Sequence, residues 1–147
     1  MPDAPKVPGP TVVDASGLVL GRAASRIAHR LLAGESIVVV NAEQAVVTGS
    51  RASVLAQYTA LRARGSVRSG PHFPRYPDRI FRRTVRGMLP HLRPRGKAAF
   101  ARLKVHIGVP EPLRPLPRST IDDAKARPAL KPPLTLAEIT RLLGARL

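Results

Sequence analysis

The 147-residue sequence contains no cysteine and no tryptophan. Without cysteine there is no disulfide framework, no thiolate metal site and no thiol nucleophile, which fits a cytosolic protein. Aromatic residues make up 3% of the chain, the whole set being Tyr58, Phe73, Tyr76, Phe81 and Phe100. A stacking platform for single-stranded nucleic acid needs several exposed rings, so that mode of binding is not expected. No apolar run approaches the ~18 residues of a membrane span. Residues 1–6 lack the apolar segment of a secretory signal, and none is expected. Acids are the most telling scarcity: nine Asp and Glu stand against 25 Lys and Arg, a net charge of +16.

What is present bounds the answer further. The length is that of about one domain, and a hydrophobic content of 44% is enough for a core. A charge excess of this size opposes the compact state by self-repulsion, and a polyanionic partner relieves it. The basic residues are 20 Arg and only 5 Lys. A planar, weakly hydrated guanidinium suits phosphates and bases, although a GC-rich genome gives the same bias.

Residues 1–10 hold four prolines and read as an extended arm. Residues 11–14 are a short strand. Leu20, Ala24, Ile27, Ala28, Leu31 and Leu32 recur at helical spacing and predict an amphipathic helix over 20–32. The β-branched run at 36–40 suits a strand covered on both faces. A further strand at 45–48 leads into a helix ending near 64. A loop over 65–77 is followed by a helix with Asp78 as its N-cap, running to about 89 where Pro90 stops it. A shorter helix over 96–102 and a strand over 103–107 complete a globular part at 11–108. Residues 109–147 are expected as a Pro-rich extension ending in a short helix, with Thr135 and Glu138 as a capping box. The prolines there and in the arm leave too few large apolar side chains for a core of their own. Strands alternating with helices argue for an α/β sheet with helices on its faces.

The chemistry-bearing residues point to anion binding. Residues 62–104 hold thirteen Lys and Arg and one acid, Asp78. Within them Arg79, Arg82, Arg83 and Arg86 fall on one helix face with no interleaved Glu. Arg22, Arg26 and Arg30 form a second ridge. Arg64, Arg68, His72 and Arg75 lie on the Gly/Pro loop, and Arg93, Arg95 and Lys97 flank Gly96, which allows close backbone approach. The turn at 17–22 hints at a phosphate loop but matches neither common glycine-rich pattern. His29, His72, His91 and His106 lie far apart, and Asp14, Glu35, Glu43 and Asp78 form no carboxylate pair. No catalytic residue, metal or cofactor is expected.

Several segments then resemble one family together. Val13-Asp14-Ala15 with Leu20-Gly21-Arg22-Ala23-Ala24-Ser25, Val39-Val40-Asn41-Ala42-Glu43 and Val47-Thr48-Gly49 are similar to the universal large-subunit ribosomal protein thirteen family. The most specific match is Arg83-Thr84-Val85-Arg86-Gly87-Met88-Leu89-Pro90, continued by Pro94-Arg95-Gly96-Lys97 and Leu103-Lys104-Val105. The Gly70-Pro71-His72-Phe73 loop looks like the archaeal and eukaryotic branch. The resemblance implies a three-layer α/β/α sandwich around a small, mainly parallel sheet. It also implies a cytoplasmic, non-enzymatic constituent of the large ribosomal subunit. Its partners would be large-subunit ribosomal RNA and neighbouring ribosomal proteins, with no membrane and no small-molecule substrate. Two other readings stand beside it: a nucleotide-handling enzyme using the 17–22 turn, and a free-standing DNA-binding protein.

Overall fold

The computed structural model describes residues 9–66, 68, 70, 72–128 and 131–147; most of the N-terminal arm lies outside them. Strand β1 (Thr11–Asp14) leads into helix α1 (Leu20–Leu32) and strand β2 (Ile37–Val40). Most of the apolar stripe of α1 is buried as its spacing predicts, with Ala23 joining Leu20, Ala24, Ile27, Ala28 and Leu31, while Leu32 is half-buried. All four residues of β2 are buried, which accounts for its unbroken β-branched run. A short strand β3 (Val46–Val47) precedes helix α2 (Arg51–Ala63), whose N-cap Ser50 accepts a hydrogen bond from the Ser53 N–H at 3.2 Å. Helices α3 (Pro77–Met88) and α4 (Pro94–Ala101) lead to strand β4 (Leu103–Val105). The chain closes with β5 (Arg118–Ser119), β6 (Leu134–Thr135) and α5 (Leu136–Leu142).

Four strands form one sheet in the order β4-β2-β1-β5, and every pairing in it is parallel. The fold is therefore α/β, with helices flanking a parallel sheet. The two faces are covered unequally. Val13, Ile37, Val39 and Leu103 meet the buried residues of all five helices in one large core. Val12, Val38 and Val40 point the other way, against Val109 and Leu113 near the 3₁₀ turn Glu111–Leu113. β3 and β6 make a separate antiparallel pair.

Helix starts differ from the sequence reading in a consistent way. Tyr76 is the N-cap of α3, Pro77 its first residue, and Asp78 sits inside the first turn. α4 likewise begins at Pro94, two residues before the expected start. Proline is favoured at the first helical position because its missing N–H is unpaired there anyway. The expected strand at 103–107 is shorter, ending at Val105. Met88, the last residue of α3, is 43% exposed.

The segment expected as an extension contributes to the body. β5 pairs with β1, and Ala124, Leu134, Leu136 and Ile139 lie in the main core. Thr135 caps α5 as its capping box predicts, accepting from the Glu138 N–H at 3.3 Å. At seven residues α5 is too short to be stable by itself, so its order comes from docking Leu136 and Ile139. Hydrogen exchange on the free protein should accordingly show α5 amides protected beyond those of the 3₁₀ turn at 111–113. Exchange of α5 at unfolded-chain rates would contradict that packing.

Candidate nucleic-acid interface

Helix α3 separates its two faces cleanly. Ile80, Phe81 and Val85 are buried, while Arg79, Arg82, Arg83 and Arg86 are exposed. None of these four forms an ion pair among the described residues, where the ion pairs involve other side chains. Three of them rest on aromatic rings instead. The Arg82 guanidinium lies 4.4 Å from the Phe100 ring centre, Arg83 5.1 Å from Phe73, and Arg79 6.0 Å from Tyr76. Each such contact is worth about 0.5–1 kcal/mol at an exposed site. The rings thus hold the guanidinium groups in place without neutralising them, and three of the five aromatic residues serve this purpose.

The ridge on α1 is less uniform. Arg22 is exposed with no acid partner among the described residues. Arg26 pairs with Asp123 at 3.1 Å, both well exposed. Arg30 donates through Nε and Nη2 to Glu35 Oε2, at 3.0 and 2.8 Å, and so fastens the end of α1 to the following turn. On the loop, Arg64, Arg68, His72 and Arg75 are all exposed. Arg93 is the N-cap of α4, and Arg95 and Lys97 are exposed in its first turn. No acid offsets them there, although the helix dipole already makes that end positive.

Gly96 plays a part other than the expected one. A Cβ there would lie 1.9 Å from the Pro90 carbonyl oxygen. The close approach it allows is of the protein's own backbone, seating α4 on the turn after α3.

The amides that lead into the 17–22 turn already have partners. The N–H of Ser16 is given to Asp14, that of Gly17 to the Gln44 carbonyl, that of Leu18 to Ala15 and that of Val19 to Ala124. A phosphate loop needs such groups free and convergent. The Gly49 turn has a similar structural role: its φ of 125° is a left-handed conformation that starts α2.

At the carboxyl end of β1, Asp14 Oδ1 accepts from the Ser16 N–H at 2.9 Å and from Asn41 Nδ2 at 3.2 Å. Burial by itself raises the Asp14 pKa, but hydrogen bonds from Ser16 and Asn41 and the positive field of Arg118 outweigh it and hold the carboxyl below its ordinary value. A depressed carboxyl stabilises the fold above its unfolded pKa of about 3.9, and that stabilisation is lost as pH falls toward the folded value. Asp14→Asn should therefore unfold at lower urea than wild type at neutral pH. The difference should shrink below about pH 4, and a gap that persisted there would assign another role to the side chain.

Two basic residues beside these surfaces were not singled out as RNA-binding in the sequence. Lys104 shares a cleft of about 330 Å³ with Arg79, Arg82 and His106. Arg127 shares another, of about 650 Å³, with Arg22 and Arg26. The alternation of the β4 residues marks Lys104 as solvent-facing, whereas nothing in the spacing connects Arg127 to α1. Among the described residues there is no cluster of three or more potential metal ligands, and no helix is long and apolar enough to cross a membrane.

Known proteins resemble this chain along most of its length. The family model for ribosomal protein L13 matches residues 10–112. Large ribosomal subunit protein uL13 of Archaeoglobus fulgidus is 53% identical over 138 residues, covering 92% of this chain and 88% of that protein. The protein of the same name from Methanosarcina barkeri is 49% identical over 138 residues, covering 92% and 99%. That of Methanocaldococcus jannaschii is 44% identical over 141 residues, covering 92% and 98%. With a fold of parallel sheet and flanking helices and an arginine row on α3 that has no acid partner among the described residues, the chain belongs to the ribosomal protein L13 family, on its archaeal side.

Proposed function

We propose that this protein is a structural constituent of the large ribosomal subunit and holds large-subunit ribosomal RNA on its arginine surfaces. The observation that carries the reading is the exposed row Arg79, Arg82, Arg83 and Arg86, which has no acid partner among the described residues. Four like charges one turn apart repel one another in the free protein, and a polyanion relieves that repulsion. Arg93, Arg95 and Lys97 at the start of α4 would be neutralised in the same way, with the helix dipole assisting. Arg22, Arg64, Arg68, His72 and Arg75 extend the surface, while Arg26 and Arg30 hold acids of their own and stand behind the others as phosphate ligands.

Phosphate contacts position a protein without reading sequence, so discrimination would come from the shape of the folded RNA. The other partners are neighbouring large-subunit proteins, and the cytoplasmic ribosome is the place of action. The role is structural, with no catalytic step, as the family membership implies. Sedimentation of the tagged protein from its own cells provides the test. It is expected to stay with the large particle through a high-salt wash. Recovery as free protein or on DNA would overturn the assignment.

A further inference from the structure

A cleft of about 570 Å³ lies between the start of α1, α2 and the side of α3. Its floor is apolar, with Leu20 and Tyr58 buried there and Val47, Leu61 and Phe73 half-buried. Its rim carries Arg22 from α1 and Arg83 from α3, the second lying over the Phe73 ring. Among the described residues, no acidic side chain lines it. An occupant that fits must offer an apolar surface to the floor and a negative charge to the rim.

Gly21, on the wall of the cleft, supplies an independent observation. It is the second residue of α1, in the first turn of the helix. Its φ is not in the left-handed region, and an added Cβ would meet no protein atom within 4 Å. Neither the backbone nor the packing therefore calls for glycine at this position. What the missing side chain leaves is open space beside the cleft.

We propose that this cleft receives an unpaired nucleobase of the ribosomal RNA, with the attached phosphate held by Arg22 and Arg83. The proposal rests on the reading of the chain as an RNA binder. Unpaired bases are the parts of RNA that proteins stack on aromatic rings and guanidinium planes. The exposed Gln57 on the rim offers both a donor and an acceptor to the edge of a base. Thr84 cannot donate in the same way, because its hydroxyl is given to the Ile80 carbonyl at 2.9 Å. The other occupant of compatible shape is an acidic, apolar segment of a neighbouring protein. The net charge of +16 and the two arginines at the mouth favour the nucleotide.

Two measurements test the proposal. Ultraviolet cross-linking of intact large subunits, followed by peptide mass spectrometry, should find a nucleotide adduct on Tyr58 or Phe73. Gly21→Ala should not lower the thermal midpoint of the free protein, since alanine is the better helix former. It should weaken binding of purified protein to large-subunit ribosomal RNA about tenfold, as the loss of one stacked base does, and leave the salt dependence nearly unchanged. Adducts confined to residues outside the cleft, or a cross-link from the cleft to another ribosomal protein, would overturn this inference while leaving RNA binding intact. Unchanged affinity of Gly21→Ala would also overturn it. Failure of the wild-type protein to bind the RNA at all would instead remove the reading on which it rests.

Discussion

Replacing Arg79, Arg82, Arg83 and Arg86 together by alanine is expected to lower the salt dependence of RNA binding sharply. Each lost phosphate contact removes roughly 0.7–0.9 from the slope of log K against log salt, so four contacts remove about 3. At low salt the affinity itself should fall on the order of a hundredfold or more. The same variant should fold as well as wild type. Its helix loses the repulsion between four like charges and gains four residues of the highest helix propensity, against the loss of three contacts to aromatic rings. This pairing makes the result decisive, because weaker binding cannot then be ascribed to unfolding. A filter-binding titration from 50 to 300 mM salt reads the slope. An unchanged slope would show that α3 is a solvated face and that the RNA lies elsewhere.

Gly96→Ala is expected to have the opposite profile, damaging the fold first. The new Cβ would sit 1.9 Å from the Pro90 oxygen, 2.2 Å from its carbonyl carbon and 2.9 Å from the His91 nitrogen. These are backbone atoms, and no rotamer change can relieve the overlap. The turn after α3 and the first turn of α4 must separate. Separation would disturb Ala99 in the core and Phe100, the ring beneath Arg82. Overpacking a well-packed site costs about 1–3 kcal/mol and occasionally more, and a backbone clash belongs at the upper end. Urea unfolding should show a clear fall in midpoint for Gly96→Ala and none for Gly87→Ala, where a Cβ meets nothing within 4 Å. Equal midpoints for the two variants would mean that α4 does not approach Pro90 so closely.

The sequence was most legible where burial imposes a period. α1 and α3 show their buried stripes at helical spacing, and β2 shows the unbroken run of a strand covered on both sides. The exposed arginine row is legible for the same reason, because a helix places positions three and four apart on one side. Legibility ended where partners come from distant parts of the chain. β5 is two exposed residues in a proline-rich stretch, with no alternation to mark it, and becomes a strand only by pairing with β1. The seats of Arg82 and Arg83 are equally hidden, since Phe100 and Phe73 belong to other segments and only the fold brings them together. Tyr76 is the exception, three residues before Arg79 and within reach of spacing arguments alone. The partner of Gly96 was missed because a glycine permits close approach without naming what approaches.

The pairing of β1 with β5 has a consequence for how the chain is made. Ser119 Oγ reaches back to the Val12 carbonyl across 107 residues, and the core waits on Leu136 and Ile139 beyond it. Synthesis runs from the N-terminus, so β1, β2 and β4 emerge with one side of β1 still open. Only when residues 118–139 have emerged can that edge close and the core fill. Until then Val12 and Val13 offer unpaired backbone to whatever strand is nearby, which is the condition under which partly made chains associate wrongly. The C-terminal segment therefore acts as the closing step of folding, and a chain shortened before residue 118 would keep its arginines while lacking the frame that aligns them.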